Sequence, residues 1–195
     1  MICLEIIIAG NAGFCYGVKR AMRITQSEER EEKPIYTLGP LIHNRQAVEK
    51  LESLGIMKIE DPQNIKDAKI IIRSHGVGPK VIEELKEQEL EIINATCPFV
   101  TKAQKIASSS TDEGYQVIVV GDRAHPEIKG IIGWTDNKGM VVSNAEEAKG
   151  LLSYEKIAVL AQTTLELDSF EQVIAVLKDK AEELKIFNTI CNATK

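Results

Sequence analysis

The feature that most constrains the fold of this chain is a repeat of its sequence at a spacing of 82 residues. Each copy has a cysteine and, 28 residues later, a histidine: Cys15 and His43 in the first copy, Cys97 and His125 in the second. Three apolar positions and one glycine between them also coincide after the shift: Val18 falls on Val100, Ala21 on Ala103, Ile24 on Ile106 and Gly39 on Gly121. Such self-similarity is typical of one structural unit used more than once. The pattern therefore predicts two similar units in tandem.

Within each copy, short β-branched apolar runs alternate with segments of helical periodicity, which favours parallel sheets with helices on both faces, an α/β fold. The predicted strands are 5–9, 35–38, 69–72, 91–93, 116–120, 140–142, 156–160 and 185–187. The predicted helices are 18–32, 44–54, 79–88, 98–113, 126–132, 144–152 and 168–183.

Polar residues with useful chemistry follow the predicted strands. The three histidines of the chain and three of its four cysteines all lie at such positions: His43, His75, His125, Cys15, Cys97 and Cys191. In parallel α/β sheets, ligands bind beyond the carboxyl ends of the strands. A single histidine after a strand is usually a cap or turn residue, but the placement of all three there indicates a shared site.

Cys191 has the position of the start of a third unit, because a predicted strand runs into it as another runs into Cys97. The simplest geometry is a ring in which the N-terminal strand belongs to the third unit's sheet and three cysteines meet near a pseudo-threefold axis. We therefore expect a first unit over 14–96, a second over 97–190, and remnants of a mostly absent third unit at 1–13 and 191–195.

Charge and composition exclude several functional classes. The net charge is −5, with acidic and basic residues interspersed, so there is neither a basic footprint for nucleic acid nor a polybasic patch for a membrane. The N-terminus has no cationic leader, and no run approaches the roughly 20 apolar residues of a membrane span. We expect a cytoplasmic protein, where structural disulfides are rare.

Three converging thiolates without a CxxC pair could bind zinc or an iron–sulfur cluster. Structural zinc would need a fourth protein ligand, and Cys3, early in the first strand, is best interpreted as a buried packing residue. A cubane held by three cysteines leaves one iron open beside a substrate, which suits reductive removal of a hydroxyl group.

The histidines can donate N–H groups to an anion, and add charge when protonated. With helix N-termini nearby, they point to a phosphate or diphosphate group. Glu127, two residues after His125, could deliver protons to a leaving hydroxyl or could simply complement the dipole of a helix N-terminus. Spacing does not decide between these two roles of Glu127. It also does not decide whether Thr163 is a hydrogen-bond donor or only a residue that favours a β-strand.

These motifs closely resemble those of the LytB family of 4-hydroxy-3-methylbut-2-enyl diphosphate reductases. The matching segments extend over residues 13–191, and the most specific are Ala95-Thr96-Cys97-Pro98-Phe99-Val100-Thr101-Lys102 and His125-Pro126-Glu127. The others are Gly13-Phe14-Cys15-Tyr16-Gly17-Val18, His43-Asn44, Ser74-His75-Gly76-Val77, Gln162-Thr163-Thr164-Leu165 and Ile190-Cys191.

The resemblance implies a trefoil of three small α/β units around a [4Fe–4S] cluster. It makes Cys15, Cys97 and Cys191 the cluster ligands and Glu127 the proton donor, and it places Thr163 near the substrate. His43, His75 and His125 become contacts of the substrate or its diphosphate. The reaction it implies is reduction of an allylic diphosphate to isopentenyl and dimethylallyl diphosphate, the last step of the non-mevalonate pathway, with electrons from ferredoxin, flavodoxin or a similar donor.

The sequence departs from the family in the third unit, whose serine- and asparagine-rich diphosphate-binding segment is not found here. We therefore expect that the 195 residues alone have little reductase activity. The alternatives that the residues leave open are a non-catalytic module that binds a small anion and a zinc protein that uses the three cysteines.

Overall fold

The computed structural model describes residue 7 and residues 12–28 and 33–194. The predicted strand 5–9, apart from residue 7, and Cys3 lie outside this part of the chain. In chain order the elements are α1 (Tyr16–Ser27), β1 (Ile35–Leu38), α2 (Arg45–Ser53), β2 (Ile56–Ile59), β3 (Lys69–Ile72), α3 (Pro79–Glu87), β4 (Glu91–Asn94), α4 (Pro98–Asp112), β5 (Gln116–Val120), α5 (Pro126–Gly133), β6 (Met140–Val142), α6 (Ala145–Lys149), β7 (Tyr154–Ala161), α7 (Leu167–Leu177), β8 (Ala181–Phe187) and a 3-10 helix (Asn192–Thr194).

The strands form two four-stranded parallel sheets of the same topology, with orders β2-β1-β3-β4 and β6-β5-β7-β8. The predicted α/β fold of two repeated parallel-sheet units is confirmed. Because every strand pair is parallel, the carboxyl ends within each sheet share one edge, and the loops with the histidines leave from these edges.

Each sheet is covered by helices on both faces. In the first sheet, α1 and α2 pack on one face and α3 on the other; in the second, α4 and α5 pack on one face and α6 and α7 on the other. The central strands are therefore apolar throughout, and Ile70 and Ile71 are fully buried. Burial of such a side chain stabilises the fold by about 1.5–3 kcal/mol, so the central strands hold the loops firmly.

Two features of the sheets differ from the sequence prediction, and both concern edge strands. β2 was not predicted, because only four residues form it and Met57 and Lys58 face solvent. The helix predicted over 168–183 ends instead at Leu177, and residues 181–187 form β8 along β7. The Ala-Glu-Glu-Leu segment favours a helix locally, but pairing with a neighbouring strand overrides that preference.

The two units touch through close backbone contacts. The indole Nε1 of Trp134 donates a 3.0 Å hydrogen bond to the carbonyl of Val77. A Cβ atom on Gly133 would lie 2.9 Å from the Cα of Gly78, so only glycine permits this approach. These contacts hold the segment between β3 and α3 of the first unit against the end of α5 of the second.

Candidate active site

The three histidines from three separate loops form one cluster, the histidine triad. The ring centroids of His43 and His75 are 4.4 Å apart, those of His43 and His125 are 5.6 Å apart, and those of His75 and His125 are 5.4 Å apart. The first two residues belong to the first unit and the third to the second unit. The structure therefore brings together the histidines that the sequence placed at strand ends.

The first two loops of the triad are tied to each other. Both the backbone N–H and the hydroxyl of Ser74 donate to the carbonyl of Leu41, at 3.2 and 3.0 Å. Asn44 caps α2 by accepting a hydrogen bond from the backbone N–H of Ala47, which fixes the residue next to His43. The loops that carry His43 and His75 are consequently one connected structure.

His125 is the N-cap of α5, and its orientation determines which nitrogen carries the proton. Its Nδ1 accepts a hydrogen bond from the backbone N–H of Glu127 at 3.2 Å. An accepting Nδ1 requires the neutral ring to carry its proton on Nε2. His125 thus offers an Nε2–H donor, as an anion site requires.

Burial lowers the pKa of two of the three triad histidines, His75 and His125. Burial, with further contributions from the nearby charges of His43, Arg73 and His125, lowers the pKa of His75 from 6.5 to about 3. Burial and His43 also lower the pKa of His125, against an opposing effect of Asp122. At neutral pH these two rings therefore act as N–H donors, and the sequence-based idea that they also supply positive charge does not apply there.

Glu127, two residues after His125 in α5, is buried and only 2% exposed. Its Oε1 accepts from the backbone N–H of Thr163 and its Oε2 from the Thr163 hydroxyl, both at 2.7 Å. Burial raises the pKa of this carboxyl group, and the two hydrogen bonds from Thr163 lower it by less. Although Glu127 lies in the first turn of α5, its carboxyl group is directed to the loop after β7, where its pKa is raised by burial.

The cysteines begin the helical segments of the site. Cys15 is the N-cap of α1, Cys97 is the N-cap of α4, and Cys191 directly precedes the 3-10 helix. Burial raises the pKa of the Cys97 thiol, backbone hydrogen bonds from Phe99 and Val100 lower it, and the charges of Cys191 and Cys15 raise it further. The electrostatic influence of Cys15 and Cys191 on Cys97 indicates that each of them lies near Cys97.

Gly17 makes room for one of these thiols. A Cβ atom there would lie 2.6 Å from Sγ of Cys97 and 3.4 Å from its Cβ. The thiol that opens the second unit is therefore seated on the first turn of α1, directly after Cys15. The space that Gly17 leaves for the Cys97 thiol, and the N-cap positions of Cys15 and Cys97, fit a group bound by several thiolates, such as a metal cluster.

The triad itself has the residue types of a metal site, since its possible ligand atoms all lie within 4.8 Å of one another. One hydrogen bond argues against a resident cation there. A metal on Nε2 of His125 would have to displace its proton, while a metal on Nδ1 would break the bond from the Glu127 N–H. The arrangement is better suited to an anion.

Sequence reasoning missed three residues of the site. Gln162 joins two loops, because its Oε1 accepts from the backbone N–H of Asp122 at 2.9 Å and its Nε2 donates to the hydroxyl of Thr164 at 3.0 Å. Gly17 and Arg73 also lie at the site. Their signal was weak: Gly17 and Gln162 fall inside segments that were singled out and Arg73 directly precedes one, but nothing in the spacing separates them from their neighbours.

No helix in the described part of the chain is long and apolar enough to cross a membrane.

Comparisons with known proteins agree with these features. Residues 6–195 match the family model of the LytB protein. The chain is 46% identical to the 4-hydroxy-3-methylbut-2-enyl diphosphate reductase of Caldanaerobacter subterraneus subsp. tengcongensis and 44% identical to that of Geobacter metallireducens. In both cases the match covers 98% of this chain and 68% of the relative.

Two solved structures are also similar. One is (E)-4-hydroxy-3-methyl-but-2-enyl diphosphate reductase, the terminal enzyme of the non-mevalonate pathway, with a TM-score of 0.87, 40% identity, and coverage of 96% of this chain and 68% of that chain. The other is the E-1-hydroxy-2-methyl-but-2-enyl-4-diphosphate reductase of Plasmodium falciparum, with a TM-score of 0.88, 30% identity, and coverage of 95% and 60%.

Proposed function

Because the chain belongs to the LytB family, we propose that it acts as a 4-hydroxy-3-methylbut-2-enyl diphosphate reductase. The reaction removes the allylic hydroxyl group and yields isopentenyl and dimethylallyl diphosphate, the last step of the non-mevalonate route to isoprenoids. The observation that carries the proposal is the cluster of three histidines from separate strand ends, together with a buried Glu127–Thr163 pair and three cysteines at the starts of helical segments.

The residues proposed to hold the [4Fe–4S] cluster are Cys15, Cys97 and Cys191. Their positions at helix starts and the close packing of the Cys97 thiol on Gly17 support this assignment. When bound, such a cluster supplies the electrons for the reduction, and an iron without a protein ligand acts as a Lewis acid. The backbone N–H groups of Phe99 and Val100 that donate toward Cys97 would stabilise its thiolate form.

The histidines are the proposed contacts of the substrate and its diphosphate. His125 donates from Nε2, because its Nδ1 is already an acceptor. His43 is exposed and His75 half-buried, so the two rings form the outer and inner parts of the same cluster. Neutral N–H donors can bind phosphoryl oxygens without holding the product as tightly as three imidazolium ions would.

Glu127 is the proposed proton donor to the leaving hydroxyl group. Its raised pKa favours the protonated form, and its two hydrogen bonds with Thr163 hold the carboxyl group in one orientation. Thr163 can receive a proton on its hydroxyl oxygen as it donates its own, so it is placed to connect Glu127 with the substrate.

Three further elements belong to the proposal. We propose units over 14–96 and 97–190, with 1–13 and 191–195 as parts of a third, a cytoplasmic location, and an electron donor of the ferredoxin or flavodoxin type. The donor is tested by asking whether the reduced form of either protein supports turnover; failure of both would exclude this class of donor.

The test of the function is anaerobic reconstitution with iron and sulfide, followed by determination of iron, sulfide and zinc. We expect about four irons per chain. Cys15→Ser, Cys97→Ser and Cys191→Ser should each lower the iron content strongly, whereas Cys3→Ser serves as the matched control and should leave it unchanged. Binding of zinc alone, or of a small anion with no iron, would replace the reductase proposal by the binding-module alternatives.

A further inference from the structure

Arg73 lies between two loops of the histidine triad. It directly follows β3 and is two residues before His75. Its guanidinium group lies over Gly39, the first residue of the loop that leads to His43: a Cβ atom on Gly39 would be 2.5 Å from Nη1 and 3.1 Å from Cζ of Arg73. Only glycine leaves space for this contact, and its φ of +70° also favours glycine.

This cation has no close counter-ion in the described part of the chain. Its Nε is buried and has no hydrogen-bond partner. The carboxylate that acts on Arg73 electrostatically is Glu60, whose side chain is 73% exposed and which is paired with Lys58 at 3.4 Å. Burying a charge without a partner is unfavourable, and a site that keeps one is suited to an incoming ion of opposite sign.

The charge of Arg73 reaches the triad. It contributes to lowering the pKa of both His75 and His125, after the larger effects of burial and of His43. Two carboxylates oppose this positive charge, and both are exposed: Glu60, which acts on Arg73, and Asp122, which acts on His125. The lowered pKa values of His75 and His125 leave these two rings as directed donors, and the guanidinium group adds a fixed positive charge beside them.

We propose that Arg73 is the fixed cation of the anion site, which attracts a diphosphate group and balances its charge while the histidine triad contacts it. The inference rests on the proposed function, because that function identifies the ligand as a diphosphate ester. Arg73 acts through its charge and through the two loops that it joins, and is thus a positioning residue. The guanidinium group stays protonated at any physiological pH, so this contribution does not depend on the state of the histidines.

Arg123 provides a matched control. It is two residues before His125, as Arg73 is two residues before His75. Its side chain is 71% exposed, pairs with Glu147 at 3.6 Å and donates to the carbonyl of Val141 at 2.8 Å. It therefore has the same sequence offset from a triad histidine but already has its partners.

The first measurement is calorimetric binding of inorganic diphosphate to the protein and three variants. Arg73→Gln should raise Kd at least about tenfold, the effect of one unit charge acting over about 10 Å at the effective dielectric of a protein surface. Arg73→Lys, which keeps the charge, should raise it less, and Arg123→Gln should change it less than about twofold. Equal losses in Arg73→Gln and Arg73→Lys, or no loss in either, would overturn the charge role.

The second measurement is NMR titration of the histidine rings, which a merely structural role of Arg73 would not move. Arg73→Gln should raise the pKa of His75 and His125, and Arg123→Gln should not. Unchanged histidine titration in a folded Arg73→Gln variant would refute the inference while leaving diphosphate binding by the wild-type protein intact. If the wild-type protein binds no diphosphate, the proposed substrate site fails, and the inference fails with it.

Discussion

Replacing Glu127 by glutamine should remove most of the turnover and leave the fold intact. The side chain is 2% exposed and accepts two 2.7 Å hydrogen bonds from Thr163. Glutamine has nearly the same shape. Its carbonyl oxygen can still accept from the Thr163 N–H, and the threonine hydroxyl can rotate to accept from the new amide. Only the exchangeable acid is lost.

The magnitude follows from two opposing contributions. Hydrogen bonds to charged groups contribute about 1.5–3 kcal/mol and neutral ones about 0.5–1.5 kcal/mol, so exchanging both bonds would destabilise the fold by roughly 1–3 kcal/mol. Against this, burial disfavours the charged carboxylate by more than the bonds favour it, since the pKa is raised on balance. We expect a net change in the free energy of unfolding within about 1 kcal/mol, while turnover falls by about 10²–10⁴.

The assay is anaerobic turnover with a chemical reductant on protein of equal iron content, together with thermal unfolding. Because the folded-state pKa of Glu127 is raised above its ordinary 4.5, wild-type stability relative to Glu127→Gln is greatest below that pH. The advantage is lost as pH rises through the raised pKa. Glu127→Ala should instead lose about 1–3 kcal/mol, because it removes the carboxylate that accepts both hydrogen bonds from Thr163. Unchanged turnover in Glu127→Gln would reduce this residue to a structural element of α5.

Three further outcomes are expected. Gly17→Ala should displace the Cys97 thiol and lower the iron content after reconstitution. Gly150→Ala is the control, because its added Cβ meets only a backbone oxygen at 3.4 Å, and it should keep the wild-type iron content. Equal iron content in the two variants would contradict the role of Gly17 in seating the Cys97 thiol. As the pH falls from about 6.5 to about 3, the free energy of unfolding should decrease, because His75 takes up a proton in the unfolded chain at a higher pH than in the folded chain. Denaturant unfolding of the wild type and of His75→Asn at several pH values measures this loss, and identical pH profiles for the two proteins would exclude a contribution from His75. A polypeptide of the 195 residues alone should turn over more slowly than one continued with the remaining third of the C. subterraneus relative; equal rates under the same anaerobic assay would count against a required third unit.

Several elements of the fold follow from sequence alone, for a definable reason. Strands Ile35–Leu38, Lys69–Ile72 and Gln116–Val120 were predicted with their observed bounds, because strands buried on both faces must be apolar throughout. The edge strand Met140–Val142 was also predicted with its observed bounds, whereas the edge strand Ile56–Ile59 was missed and the edge strand Ala181–Phe187 was predicted too short, because their pairing partners are distant in sequence. Local propensity cannot detect such a partner, as the helix predicted into 181–183 illustrates.

The same division applies to the site. The repeat and the strand-end positions determined which residues can meet, because parallel strands end at a common edge whatever the details of packing. Tertiary structure alone decided how those residues behave. The neutrality of His75, the raised pKa of Glu127 and the unpartnered Arg73 all depend on burial and on neighbours from other loops, as many as 36 residues apart for Glu127 and Thr163. A sequence specifies ionisable groups, but only the packed chain sets the desolvation and distances that control their charge.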